Sequence, residues 1–160
     1  MLQSRRKNRV GAAMRKVLVI AAALLALAAC SRPQPPQGRW EGAYDSGGTL
    51  VAARVEIEPN GQVRLSAPDL TGADAVDADQ HEQMRDHVAA ELANGWDNVA
   101  PRPMDYDGET FRKPGGIAPQ MIWDKDKHQM TLVLYLGNAP VIYIPLQSVG
   151  AFRDNPWPSG

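Results

Sequence analysis

Few side chains in this sequence could do chemistry: one thiol, Cys30, three imidazoles, His81, His87 and His128, and carboxylates crowded between residues 69 and 109. A thiolate is readily alkylated, and Cys30 stands between an alanine-leucine run and a proline-rich stretch, Leu24 to Trp40 reading LLALAACSRPQPPQGRW. A lone cysteine makes no internal disulfide, so an apolar core must hold the fold, and enough chain follows residue 30 to build one. On a helix, His81 and His87 would lie about 120° apart, too far around to share a metal as residues four apart can. Among Glu82, Asp86 and Glu91 they belong to a solvated face, and His128, after a charged turn, is expected to be exposed. No zinc spacing occurs, and neither a metal nor a cofactor is expected. Asp105-Tyr106-Asp107-Gly108-Glu109 and the run Asp74, Asp77, Asp79 lack the further ligand before the glycine and the glutamate six residues after it that a calcium loop needs. They read as solvated turns, with a weak, non-specific cation site as the alternative.

Six of the 17 basic residues and none of the 18 acidic ones precede Cys30, which leaves the rest at a formal charge of −7. That balance argues against a nucleic-acid partner bound through its phosphates. Val17 to Ala29 is an uncharged apolar run of thirteen behind Met14-Arg15-Lys16. It is shorter than the roughly 20 residues of a membrane span and has the layout of an export signal. Its end, Leu27-Ala28-Ala29-Cys30, resembles the lipobox of bacterial lipoproteins. The resemblance implies a diacylglyceryl group on Cys30, cleavage before it and acylation of the new amino terminus, enough chains for stable anchoring. The alternative is a secreted protein or an uncleaved anchor with a free Cys30. Ser31 rather than Asp after the cysteine points to the outer membrane, facing the periplasm. Residues 1–29 are thus expected to be a signal peptide, with Met14 as the expected start, and 30–37 (CSRPQPPQ) a lipidated cysteine and semi-rigid spacer.

Gly38-Arg39-Trp40-Glu41-Gly42-Ala43-Tyr44 resembles the G-x-W opening of lipocalin-like barrels, in which the tryptophan plugs one end. The chain departs from a true lipocalin in its short domain, its mid-chain helix and the lack of a T-D-Y-type loop. Without a ligand, Trp40 and Tyr44 are same-face core aromatics. Asp45-Ser46-Gly47-Gly48 reproduces the sequence around a chymotrypsin-like nucleophile, but all three histidines follow the serine, the reverse of that family's order. Two glycines between strands read instead as a hairpin turn. No nucleophile-base-acid set emerges, and no enzyme is expected.

The elements that must position these residues are mostly strands. Arg39 to Tyr44 reads as the first, and Thr49 to Glu58 as the second, its Ala53, Val55 and Ile57 dry and its Arg54, Glu56 and Glu58 wet. Pro59-Asn60-Gly61 turns into Gln62 to Ala67, and an Asp-rich loop, 69–77, leads to one amphipathic helix, about 80–94. Asp79 with Glu82 is a capping-box start, Asn94-Gly95 a left-handed stop, and Met84, Val88 and Leu92 a narrow apolar stripe for a sheet face. Met104 to Lys113 reads as a short edge strand with an Asp107-Gly108 turn, followed by Pro119 to Trp123, Gln129 to Leu136 and Val141 to Val149. MTLVLYL (130–136) and VIYIPL (141–146) are apolar on both faces, as in strands buried on two sides or lining an interior beneath the helix.

The expected fold is mainly β: one small antiparallel β-barrel or sandwich of about seven strands over 38–149, with one helix packed on it and an irregular tail, 150–160, whose Trp157 could dock. The expected function is that of a lipid-anchored envelope protein that binds a small apolar or lipid-like ligand through Trp40, Tyr44, Val133, Tyr135, Ile142 and Ile144. The alternative is a filled barrel that meets another envelope protein or component through its acidic surface or through Trp96, Tyr106 and Trp123. Expected partners are the membrane, through the lipid on Cys30, and that ligand or protein.

Overall fold

The computed structural model describes residues 33–137 and 139–158; the expected export signal and Cys30 lie outside the described residues. Ten strands form one antiparallel sheet: β1 (Gly38–Ser46), β2 (Thr49–Ile57), β3 (Gln62–Ser66), β4 (Asp69–Thr71), β5 (Arg102–Pro103), β6 (Asp105–Tyr106), β7 (Thr110–Arg112), β8 (Pro119–Asp124), β9 (Gln129–Leu136) and β10 (Ala139–Val149). One helix, α1 (Ala78–Gly95), falls between β4 and β5. Nine strands follow one path, β5-β3-β2-β1-β10-β9-β8-β7-β6, and β4 pairs with the start of β2. The path curls into a nearly closed barrel whose two edges, β5 and β6, are consecutive strands joined only by Met104, so the backbone itself crosses the seam.

The strand count exceeds the expected seven for local reasons. The Asp-rich loop begins with β4, whose Leu70 pairs with Leu50; β5 adds two residues to β3; and Met104 to Lys113 is a hairpin, β6 and β7, rather than one strand. The Gly47-Gly48 turn, with both glycines at positive φ, holds β1 and β2 in unbroken register from Ser46↔Thr49 to Gly38↔Ile57. Gly42 does a different job. A Cβ there would collide with the carbonyl oxygen of Pro145, so its absence lets β10 cross close against β1.

Alternation sorts the side chains into two cores. Inside lie Trp40, Val51, Val55, Phe111, Met121, Met130, Leu132, Ile144 and Leu146, all buried, with Leu134, Ile142 and Tyr44 packed against them. Cross-strand pairs Leu132↔Ile144 and Met130↔Leu146 continue through Trp123↔Met130 to the T-shaped contact of Trp40 with Trp123, centroids 5.3 Å apart. The outer core joins Leu50 and Ala52 of β2 to Val88 and Leu92 of α1 and to Trp157 of the tail.

The helix therefore covers β2, which is buried on both faces, and the expectation that β9 and β10 lie under the helix is overturned, although the outward Val133 of β9 is buried as well as the inward Leu132. Because β4 pairs with β2 just before α1 begins, the chain delivers the helix onto β2. Val141 and Tyr143 on the outside of β10 are about half exposed, 51% and 52%. Both ends of α1 also differ from expectation. Asp77, not Asp79, is the N-cap, its extended backbone (φ −72°, ψ 172°) letting Oδ1 accept from Gln80 N at 2.9 Å. Gly95 stays right-handed (φ −79°), and a 3-10 turn, Trp96–Asn98, carries the chain on. Arg64 of β3 supplies the stop: its Nη2 donates to the Trp96 carbonyl at 2.7 Å, its Nε to the Val99 carbonyl at 2.9 Å, and its guanidinium lies over the Trp96 ring.

Candidate functional site

The six residues expected to line a ligand cavity do not share one. Trp40 and Ile144 are buried in the barrel core, and Tyr44 and Ile142 pack against it, so these four point inward. Val133 and Tyr135 do not. The register pairs Ile144 with Leu132 and Ile142 with Leu134, which turns the alternate residues Val133 and Tyr135 to the outside, where Tyr135 donates its hydroxyl to the Pro119 carbonyl at 2.8 Å. Their segment is apolar at nearly every position, so composition could not choose between its faces; pairing chose. The inward volume is taken up by the protein's own side chains: Trp40 and Trp123 are buried, and Phe111, Met121, Met130, Leu132, Ile144 and Leu146 are at most 1% exposed.

The polar chemistry lies outside the barrel, on β1, β2 and β3. Counting back from the glycine turn places Glu41 opposite Arg54 and Arg39 opposite Glu56. Glu56 accepts from Arg39 Nε at 2.9 Å and Arg64 Nη1 at 3.2 Å, an ionic ladder across three strands. Glu41 and Arg54 are buried, at 0% and 5% exposure. A buried carboxylate is tolerated only when paired, and here the tail supplies a partner. Arg153 donates its backbone N–H to Glu41 at 3.1 Å and its guanidinium Nε to the other carboxylate oxygen, while Arg54 Nη2 donates to the Arg153 carbonyl at 2.7 Å. Burial pushes the Arg54 guanidinium below its ordinary pKa, against the opposing pull of Glu41 and Asp154.

The same tail reaches the upper part of this face. Trp157, 4% exposed, fills the outer core and donates its indole N–H to the Arg85 carbonyl at 3.1 Å, while the Arg85 guanidinium stacks over its ring at 5.1 Å. Arg85 also approaches Asp45 of β1 at 3.7 Å, and Asp45 holds His81 Nε2 at 3.0 Å. His81 is therefore not simply solvated. Its hydrogen bond to Asp45, with a second from Nδ1 to the Ala73 carbonyl, raises its pKa above the usual imidazole value. His87 is exposed on α1 and lines, with Leu70, Gln80, Gln83 and Met84, an open groove of about 380 Å3. His128 is exposed at its turn, its ring edge-on to Trp123.

The acidic turns are occupied by their own backbone. Asp107 accepts from the N–H groups of Glu109 and Thr110, from the Thr110 hydroxyl and from Arg112, and these bonds hold its carboxyl well below the usual carboxylate range. Asp105 accepts from Gly115 N at 3.1 Å. Among the described residues no group of three or more His, Cys, Asp or Glu side chains is arranged to hold a metal.

Reading the sequence alone singled out neither Glu41, Arg54 nor Arg153. A signal for two of them was present: a two-residue turn fixes the register of its hairpin, and with it the opposition of Glu41 and Arg54. Nothing in the sequence marked Arg153. No protein-family model matches the chain, and no curated protein or solved structure matches it.

Proposed function

We propose that this chain is a lipid-anchored cell-envelope protein, held by a lipid on Cys30 in the outer membrane and facing the periplasm, whose barrel is a scaffold and whose outer surface meets another envelope protein. The second of the two expected functions is thus preferred over uptake of an apolar ligand, but not through the aromatics expected for it, since Trp96 and Trp123 are buried and Tyr106 packs against the core. The filled interior carries this choice: the apolar ligand was expected inside the barrel, where the volume is instead occupied by Trp40, Phe111 and the paired aliphatics of β9 and β10, and the groove beside α1 lies open to solvent rather than enclosing a ligand. The lipobox residues Leu27-Ala28-Ala29-Cys30 support the anchor. Outside the barrel, Val141 and Tyr143 are half exposed and Ile117, in the loop between β7 and β8, is 93% exposed.

Site-directed photocrosslinking in the intact envelope tests the reading. Probes at Ile117, Tyr143 and Arg153 should trap a reproducible protein neighbour from at least one position. Adducts with lipid alone from all three would overturn it. The anchor has its own test: Cys30→Ser should abolish processing and release the protein from the membrane fraction, and normal processing with retention would refute lipidation.

A further inference from the structure

The tail from Gly150 to Pro158 has no regular structure, yet three anchors hold it on the barrel. Phe152 packs edge-on against Trp96 with ring centroids 4.7 Å apart, under the guanidinium groups of Arg54 and Arg39. Arg153 closes on the buried Glu41 and offers its carbonyl to Arg54. Trp157 inserts between α1 and β2 and gives its indole N–H to the Arg85 carbonyl. Aromatic anchors in pockets, one desolvated charge pair and a few bonds to main-chain carbonyls are how grooves hold linear peptides.

The floor beneath the tail is apolar at one end and charged at the other. Beneath Trp157 the outer face carries Leu50 and Ala52; beneath Arg153 it carries Glu41 and Arg54, and the Arg54 Nε is buried without a hydrogen-bond partner. Buried charge of this kind contributes little net stability compared with an apolar floor, and it discriminates strongly against a strand of the wrong chemistry.

We propose that the floor between α1 and the outer faces of β1 and β2 is a peptide-recognition groove, with the tail as its resident occupant and a linear partner segment of the same chemistry as its exchange ligand. That chemistry is an aromatic residue followed by arginine, with a tryptophan four residues further on. The inference rests on the reading that the protein works through its outer surface. Only Gly150 and Ala151 separate β10 from Phe152, a reach of about 10 Å, so a released tail stays beside its own barrel rather than reaching another copy's, and the exchanging segment is that of a different protein.

The test uses the purified full chain and a fluorescent synthetic peptide of residues 150–158. The double variant Arg153→Ala, Trp157→Ala, which loosens the resident tail, should bind this peptide saturably and at least ten-fold more tightly than the unaltered chain. Peptides carrying either alanine should bind at least ten-fold more weakly than the parent peptide. A folded double variant that ignores the peptide, or takes the alanine peptides equally well, overturns the proposal. If the double variant does not fold, hydrogen exchange on the unaltered chain decides. An Arg153 amide exchanging at least 100-fold faster than those of Val55 and Leu132 supports a releasable tail, and exchange at the same rate overturns it. These readouts use purified protein, so their failure is distinct from the failure to find a neighbour in the envelope.

Discussion

Glu41, wholly buried on the outside of β1, and Arg153, 112 residues later in the tail, are joined by two hydrogen bonds, one from the Arg153 backbone and one from its guanidinium. The contact ties the irregular end of the chain to the first strand of the barrel. Half of the Arg153 side chain remains in solvent, so removing it should cost less than the 3–5 kcal/mol typical of a broken, fully buried pair. Arg153→Ala is expected to destabilise the protein by about 2 kcal/mol, read by urea unfolding. A loss indistinguishable from zero would make the pairing incidental.

The hydrogen bond from His81 to Asp45 makes stability depend on pH. The folded pKa of His81 is raised, so its contribution is fully present below the unfolded value of about 6.5 and is lost as pH rises through the folded value. The groups facing the imidazole are the Asp45 carboxylate, the Ala73 carbonyl and the Arg85 guanidinium, the last of which opposes protonation. The stability difference between the unaltered chain and His81→Gln should therefore be largest near pH 5.5 and shrink toward pH 8.5. A difference that stays constant, or grows with pH, contradicts the pairing.

Gly42 tests the crossing of β1 and β10. A methyl group at this position meets the Pro145 carbonyl, and backbone yields less readily than a flexible side chain. Gly42→Ala should lower stability by about 1–3 kcal/mol, the usual range for overpacking, in thermal or urea unfolding. An unchanged midpoint would mean that the strands do not approach this closely.

The acidic turn at Asp105–Glu109 should be indifferent to calcium, because the Asp107 oxygens already accept two backbone N–H groups, the Thr110 hydroxyl and Arg112. Amide NMR shifts of residues 105–112 should stay fixed through a millimolar calcium titration. Saturable movement of those shifts would restore the cation-site alternative.

These tests also mark how far the sequence could be read. The hairpins at Gly47-Gly48 and Asn60-Gly61, the helix and the mainly antiparallel β class were legible because turn chemistry and apolar period are local properties. Trp40 was legible as a core aromatic, and it packs against Trp123 inside the barrel. The inward or outward choice at Val133 and Tyr135 was not, since an all-apolar strand has no preferred face until its neighbours set the register. Helix placement failed for a related reason: β4 is three residues long and polar at Asp69 and Thr71, too weak a pattern to announce the pairing that brings α1 onto β2. Arg54 read as wet because it is charged. Its burial depends on a tail almost a hundred residues away, a contact that no window of sequence contains.

The proposed function requires a barrel filled by its own side chains, as its buried core is. Native mass spectrometry of the chain from residue 31 onward, purified without denaturation, tests this most directly. A filled barrel should give the mass of the polypeptide alone, unchanged after exposure to lipid extract. A retained adduct of a few hundred daltons, lost when Phe111 or Ile144 is replaced by a charged residue in a variant that still folds, would contradict it and return the interior to the role of a ligand site.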